Sequence, residues 1–117
     1  MTAVFRQRGD AVDYIPPADV AAGDVVVQGD LVGIAKLDIK AGERGALAVT
    51  GVFAVPKATG AGTGIAAGAK LYWNATAGVA TASADDGATP PVAYPYLGKG
   101  ILAAGDADAS VQVRLSQ

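Results

Sequence analysis

The run Ser110-Val111-Gln112-Val113-Arg114-Leu115-Ser116 alternates apolar and polar side chains at every step. Successive side chains of a strand point to opposite faces, so this period of two predicts a β-strand with one face buried. Working outward from it, Tyr96–Ala104 is a second strand candidate, and Lys70–Asn74 with Gly78–Ala82 forms a hairpin across Ala75-Thr76-Ala77. Ala46–Val55 is the longest apolar strand candidate, and Gly51 inside it predicts a bulge or bend. Asp24–Gln28 and Leu31–Asp38 flank a Gly29-Asp30 turn, and Gly42-Glu43-Arg44-Gly45 punctuates the chain again. Ala11–Ile15 follows a Gly9-Asp10 turn and is stopped by Pro16-Pro17, since neither proline has an N–H to donate to a ladder.

Helix signals are weak. Ile65–Tyr72 contains alanines, but Gly64 and Gly68 each cost about 1 kcal/mol relative to Ala in a helix, so a single turn is the most expected there. The strand count comes to about eight or nine, spaced as a small barrel or sandwich requires. The expected fold is therefore all-β: a single-domain β-barrel or β-sandwich over residues 1–117, with long Gly/Pro-rich loops at Ala58–Gly64 and Ala82–Pro95.

The totals restrict function. Hydrophobic residues are 51% of the 117 and charged residues 17%, which suits a folded domain of one core. That core is built of small side chains: aromatics are only 6%, and 16 residues are glycine. Ala and Val each bury less apolar area than Leu or Phe, at about 25 cal/mol per Å². Burial against partner subunits would add what such a core lacks, which points to an oligomer or a docked subunit. There is no cysteine and no histidine. Disulfides and thiolate sites are thus excluded, along with the usual general base near neutral pH and the commonest metal ligand. The net charge is −2, and the nine Lys and Arg residues are scattered except for Arg6 and Arg8, so a phosphate-binding stripe is missing. There is neither an 18-residue apolar run nor a basic-then-apolar leader pattern, so a protein made in the cytoplasm with no membrane partner is expected.

The motifs that mimic chemistry fail on context. Gly60, Gly62 and Gly64 sit in a dinucleotide-like cluster without the following helix that would face a pyrophosphate. Gly98-Lys99 is followed by Gly100, not Ser or Thr, and Ala93 occupies the first glycine of a P-loop. Asp106-Ala107-Asp108-Ala109-Ser110 opens like a calcium loop, but Val111 replaces its glycine and Gln117 its bidentate glutamate. Asp85 and Asp86 are adjacent and read as solvated loop charges. No catalytic residue, cofactor or metal is expected.

Protein contact is what remains. Trp73 reads as a core residue and its neighbour Tyr72 as an outward aromatic anchor, with Tyr94 and Tyr96 as further aromatics of the same kind. At the start, Phe5, Arg6 and Arg8 mark residues 1–8 as a docking arm that could add a strand to a neighbouring sheet, or else as an ordinary first strand of the domain's own sheet.

Several phrases taken in order resemble a known family. They are Gly9-Asp10, Val12-Asp13-Tyr14, Val20-Ala21-Ala22-Gly23-Asp24-Val25-Val26, Leu31-Val32-Gly33-Ile34-Ala35, Ala41-Gly42-Glu43-Arg44-Gly45, Gly51-Val52-Phe53-Ala54-Val55-Pro56-Lys57 and Leu71-Tyr72-Trp73-Asn74. Their order and spacing, from Phe5 to Val113, is similar to that of short phage head-gene proteins identified as capsid cement or decoration proteins, some of them labelled recombinases. The resemblance implies a structural virion protein on the capsid outer surface, assembled in the bacterial host cytoplasm. It also implies the major capsid protein as partner, a homo-oligomer with a trimer favoured, and no catalytic residues. The competing expectation is a fibre or baseplate-type binding module for carbohydrate or cell surface. Only Trp73 and Tyr72 would serve such a sugar site.

Overall fold

The computed structural model of the chain describes residues 3–6 and 8–116. Among them are nine strands: β1 (Ala11–Tyr14), β2 (Val25–Gln28), β3 (Leu31–Ala35), β4 (Gly45–Ala48), β5 (Val52–Pro56), β6 (Lys70–Asn74), β7 (Val79–Thr81), β8 (Tyr96–Gly100) and β9 (Ser110–Leu115). The described residues contain no helix. The fold is all-β, built of two antiparallel sheets in the orders β1-β4-β3-β2 and β5-β9-β8-β6-β7. The chain divides into two compact units, one of residues up to Val26 with Gly33–Val49, the other of Val27–Val32 with residues from Thr50 onward.

The first unit is organised by β4, which pairs with β1 on one side and β3 on the other. Val12 and Tyr14 of β1 stand opposite Leu47 and Gly45, and Ala35 of β3 also stands opposite Leu47. Leu47 thus sits at the centre of one face, buried with Ala35 and Ile39 and flanked by Val12, Tyr14, Val20 and Val26. The isolated bridge Val20–Ile39, with mutual N–H to carbonyl bonds of 2.8 Å, holds the loop residues against that cluster. The Ala46–Val55 candidate is not one bent strand. The chain leaves β4 and enters β5 of the other sheet, and Gly51 between them has φ of 108°, a left-handed value that favours glycine.

The second unit is organised by β9. Its alternation is realised in full: Val111, Val113 and Leu115 are buried while Gln112 and Arg114 are exposed. β5 supplies Val55 opposite Val111 and Phe53 opposite Val113; β8 supplies Gly98 opposite Leu115 and Gly100 opposite Val113. The sheet curls until its edge strands approach, and Lys57, just past β5, forms a parallel bridge with Ala80 of β7. A single bridge is no ladder, so the sheet does not close into a barrel. The segment after β8 is shorter in strand than expected: β8 stops at Gly100, and residues 101–104 bend away to an isolated bridge between Ala104 and Ile65.

Gly98 makes the centre of this sheet possible. It lies between Leu71 of β6 and Leu115 of β9, and a Cβ there would collide with the backbone carbonyl oxygen of Arg114. Gly100 is under no such constraint, because the nearest atom to its Cβ would be Ile65 Cγ2 at 3.5 Å, an ordinary contact. Gly98→Ala is therefore expected to lower unfolding free energy by about 3 kcal/mol, the cost of overpacking. Gly100→Ala is expected to cost under about 1 kcal/mol. Urea unfolding of the two variants side by side checks the contrast.

Candidate protein-contact surface

Tyr72 and Tyr96 are brought together by an irregularity in the β6–β8 ladder. Leu71 pairs with Gly98, but Tyr72 pairs with Tyr96, so β8 carries one extra residue, Leu97, at that point. Leu97 is fully buried, and Tyr96 shifts onto the same face as Tyr72. The two rings meet edge to face, with centroids 5.8 Å apart and planes at 67°. That geometry sets the positive ring edge of one against the negative face of the other. Both residues are half-buried, so each is held by packing yet keeps surface to offer. Thr81 of β7 stands opposite Tyr72 and extends the row. Trp73 points the other way, opposite Ala80, and is buried with 7% of its surface exposed.

Tyr94 is half-buried at the end of the 82–95 loop, its N–H donating to the Ala84 carbonyl at 2.9 Å. The same loop is closed by the Asp85–Ala93 bridge and by Asp86, whose Oδ1 accepts the Ala88 and Val92 N–H groups, each at 3.0 Å. These two backbone donors, Val92 foremost, favour the charged carboxylate and hold the Asp86 pKa below the usual aspartate value. The reading of Asp86 as a solvated charge thus omits its part in shaping the loop, on which Val92 stands 61% exposed.

The other long loop, 58–64, is pinned by Lys57. This lysine is only 4% exposed, yet its Nζ donates three times: to the Ala58 carbonyl at 2.7 Å, the Asp108 carbonyl at 3.1 Å and Thr63 Oγ1 at 3.3 Å. Three donors meet three acceptors, which satisfies the ammonium although none of the three is a carboxylate. Thr63 Oγ1 in turn donates to the Gly60 carbonyl at 2.6 Å, and Asp106 Oδ1 accepts the Gly64 N–H at 2.7 Å. Loop 58–64 is thereby tied to the turn before β9. Nothing in the one-dimensional pattern marks Lys57 as buried, since its acceptors lie up to 51 residues away.

The arm candidates lie in the first unit. Residues 3–6 form no strand, and Phe5 is 82% exposed, with Val4 at 61%. Thr2 and Gln7 of the expected arm, and Met1, lie outside the described residues. Arg6 is exposed, and Arg8 makes a loose ion pair with Asp10 at 3.8 Å, both side chains largely in solvent. Such a pair contributes little to stability. The sequence reading also passed over exposed Leu37, Ile101 and Leu102, three large apolar side chains in or beside loops. No group of His, Cys, Asp and Glu among the described residues is arranged to hold a metal ion, and no helix there is long and apolar enough to cross a membrane.

Residues 6–115 match the family model of phage cement proteins, and the chain belongs to that family. It is accordingly a structural component of a phage capsid. No match to the chain was found among curated proteins or among solved structures.

Two outcomes test the loop geometry. Lys57→Met keeps the apolar stem but removes three hydrogen bonds, leaving the Ala58 and Asp108 carbonyls without the ammonium, and is expected to destabilise by about 2–3 kcal/mol in urea unfolding. The Asp86 contribution is present above the usual aspartate pKa and is lost as pH falls through the lowered folded value. The amide proton shifts of Val92 and Ala88 should therefore titrate together below about pH 4. In Asp86→Asn that titration should vanish from the NMR spectrum.

Proposed function

We propose that this cement protein binds the outer surface of the assembled, expanded capsid as a trimer, contacts the major capsid protein, and stabilises the expanded lattice without catalysing any reaction. The observation that carries the reading is the family match over nearly the whole chain. The surface agrees with it. Exposed apolar side chains on residues 3–6 and a rigid aromatic pair at Tyr72 and Tyr96 suit contact with protein.

The mechanism is linkage. A protein that binds the expanded lattice more tightly than the procapsid shifts the equilibrium toward expansion by the difference in binding free energy, and by nothing else. Each contact can be modest. Joining three copies makes the second and third attachments intramolecular, which raises avidity by about 10²–10⁴-fold over a single contact. The arm, residues 1–8, acts as the docking element by engaging a neighbour in the assembled shell. Tyr72, Tyr94 and Tyr96 provide contact area at low entropic cost, because an aromatic ring held by packing has few rotamers left to lose.

Co-sedimentation with purified procapsids and expanded heads tests this reading. Selective binding to expanded heads is expected, and deletion of residues 2–8 or Tyr72→Ala should weaken it by about 30-fold, the scale of one interface hot spot. Binding to neither capsid form, or binding to a glycan panel in its place, would overturn the reading.

A further inference from the structure

The five-stranded sheet carries its cations in one line. Lys70 of β6 stands directly opposite Lys99 of β8, and Lys99 stands directly opposite Arg114 of β9. Residues directly opposite share a face, so the three side chains leave the sheet together, and all three are exposed. Their neighbours along the strands, Leu71, Gly98, Val113 and Leu115, are buried. Adjacent strands lie about 4.8 Å apart, so the row spans about 10 Å. Val52 of β5, opposite Arg114 and 51% exposed, ends it with an apolar side chain. Tyr72 follows Lys70 by two positions and so flanks the row on the same face, with Tyr96 beside it. In the sequence these cations are isolated from one another, and only the pairing of β6, β8 and β9 aligns them.

No carboxylate of the sheet answers them, since none of its five strands contains Asp or Glu. The carboxylates of the loops that join these strands are directed at backbone N–H groups. Asp85 accepts from Gly87, Asp86 from Ala88 and Val92, Asp106 from Gly64 and Asp108 from Gly105. Among the described residues the ion pair is that of Arg8 with Asp10, and Lys70, Lys99 and Arg114 enter none. Like charges directly opposite one another destabilise a sheet, and Lys99 has one on either side. The row therefore costs the free domain stability, and an anionic partner would relieve that repulsion as it bound.

We propose that this face docks an acidic helix of a partner protein, whose carboxylates, one turn apart, meet Lys70, Lys99 and Arg114. Side chains at i and i+4 of a helix lie about 5–6 Å apart, close to the interstrand spacing of the row. Arg114 can receive a carboxylate bidentately, while the two ammonium groups act as point charges. A nucleic acid fits less well, because its phosphates would run beyond three cations onto a chain of net charge −2. The two tyrosine rings, moreover, are set edge to face against each other, not splayed as platforms for bases. This rests on the cement reading for the source of the helix, a shell subunit, and adds the chemistry by which that subunit is recognised.

The full chain is titrated against an alanine-rich helical peptide with Glu one turn apart, the same peptide with Gln for Glu, and oligothymidylate. Binding of the Glu peptide alone is expected, and it should weaken as salt is raised. Lys99→Glu should weaken it at least about tenfold, the low end for a close charge pair across an interface. The same variant should raise the urea midpoint, because two like-charged pairs become oppositely charged ones. Lys99→Gln, which only removes the charge, should weaken binding by less. Lys36→Glu makes the same change of charge at an exposed position outside this sheet and should leave binding as it was. Absence of Glu-peptide binding, equal loss in Lys36→Glu, or preference for the Gln peptide or the oligonucleotide would overturn the proposal. Expanded heads separate it from the capsid reading. Equal capture of the unmodified chain and of Lys99→Glu sinks the acidic-helix face and leaves the capsid reading intact. Capture of neither, with the Glu peptide still bound, does the reverse.

Discussion

Lys57 is the constraint on which the second unit turns. Where β5 ends and the curled sheet brings that edge toward β7, a positive charge is buried with only backbone carbonyls and one hydroxyl to receive it. Such a charge is tolerated because all three ammonium protons are bonded. In being satisfied it gathers loop 58–64 and the turn before β9 around one point. Thr63 Oγ1 reinforces the same tie by donating to the Asp106 carbonyl at 3.2 Å. An edge that could have remained an open template for another strand is instead closed off by a side chain and one bridge.

The same unit depends on side chains that are missing. Gly98 allows β8 to approach β9 closely, and the extra residue Leu97 turns inward beside it, which is what brings Tyr96 level with Tyr72. Close packing and the paired rings thus lie side by side in β8: a glycine sits against β9, and the one-residue offset against β6 places two aromatics on one half-buried face. A core of Ala, Val and Gly has little apolar area to spare, so large apolar groups left outside, such as Phe5 and Leu37, matter more for this chain than for one with a richer interior.

As a member of the cement family the chain is a structural component of a phage capsid. Lacking His and Cys, the chain presents aromatic and aliphatic side chains on rigid or looped backbone. Shell proteins act in numbers, and many modest contacts made together give persistence that no single one supplies.

The sequence alone determined the all-β class, because alternation in β9 and frequent Gly and Pro punctuation are local properties that backbone geometry converts directly into strands and turns. It also determined the hairpin of β6 and β7 and the burial of Trp73. Tertiary structure decided the rest. Ala46–Val55 reads as one strand until Gly51 takes a left-handed φ and sends its halves to different sheets, since a glycine's choice of conformation depends on what the flanking strands pair with. Nothing along the chain marks Lys57 for burial; that follows only when a carbonyl distant in the chain converges on it with its neighbours. Tyr72 and Tyr96 read as separate aromatics until a one-residue offset aligns them. Each of these rests on a meeting between residues far apart in sequence, and periodicity along a chain contains no information about such meetings.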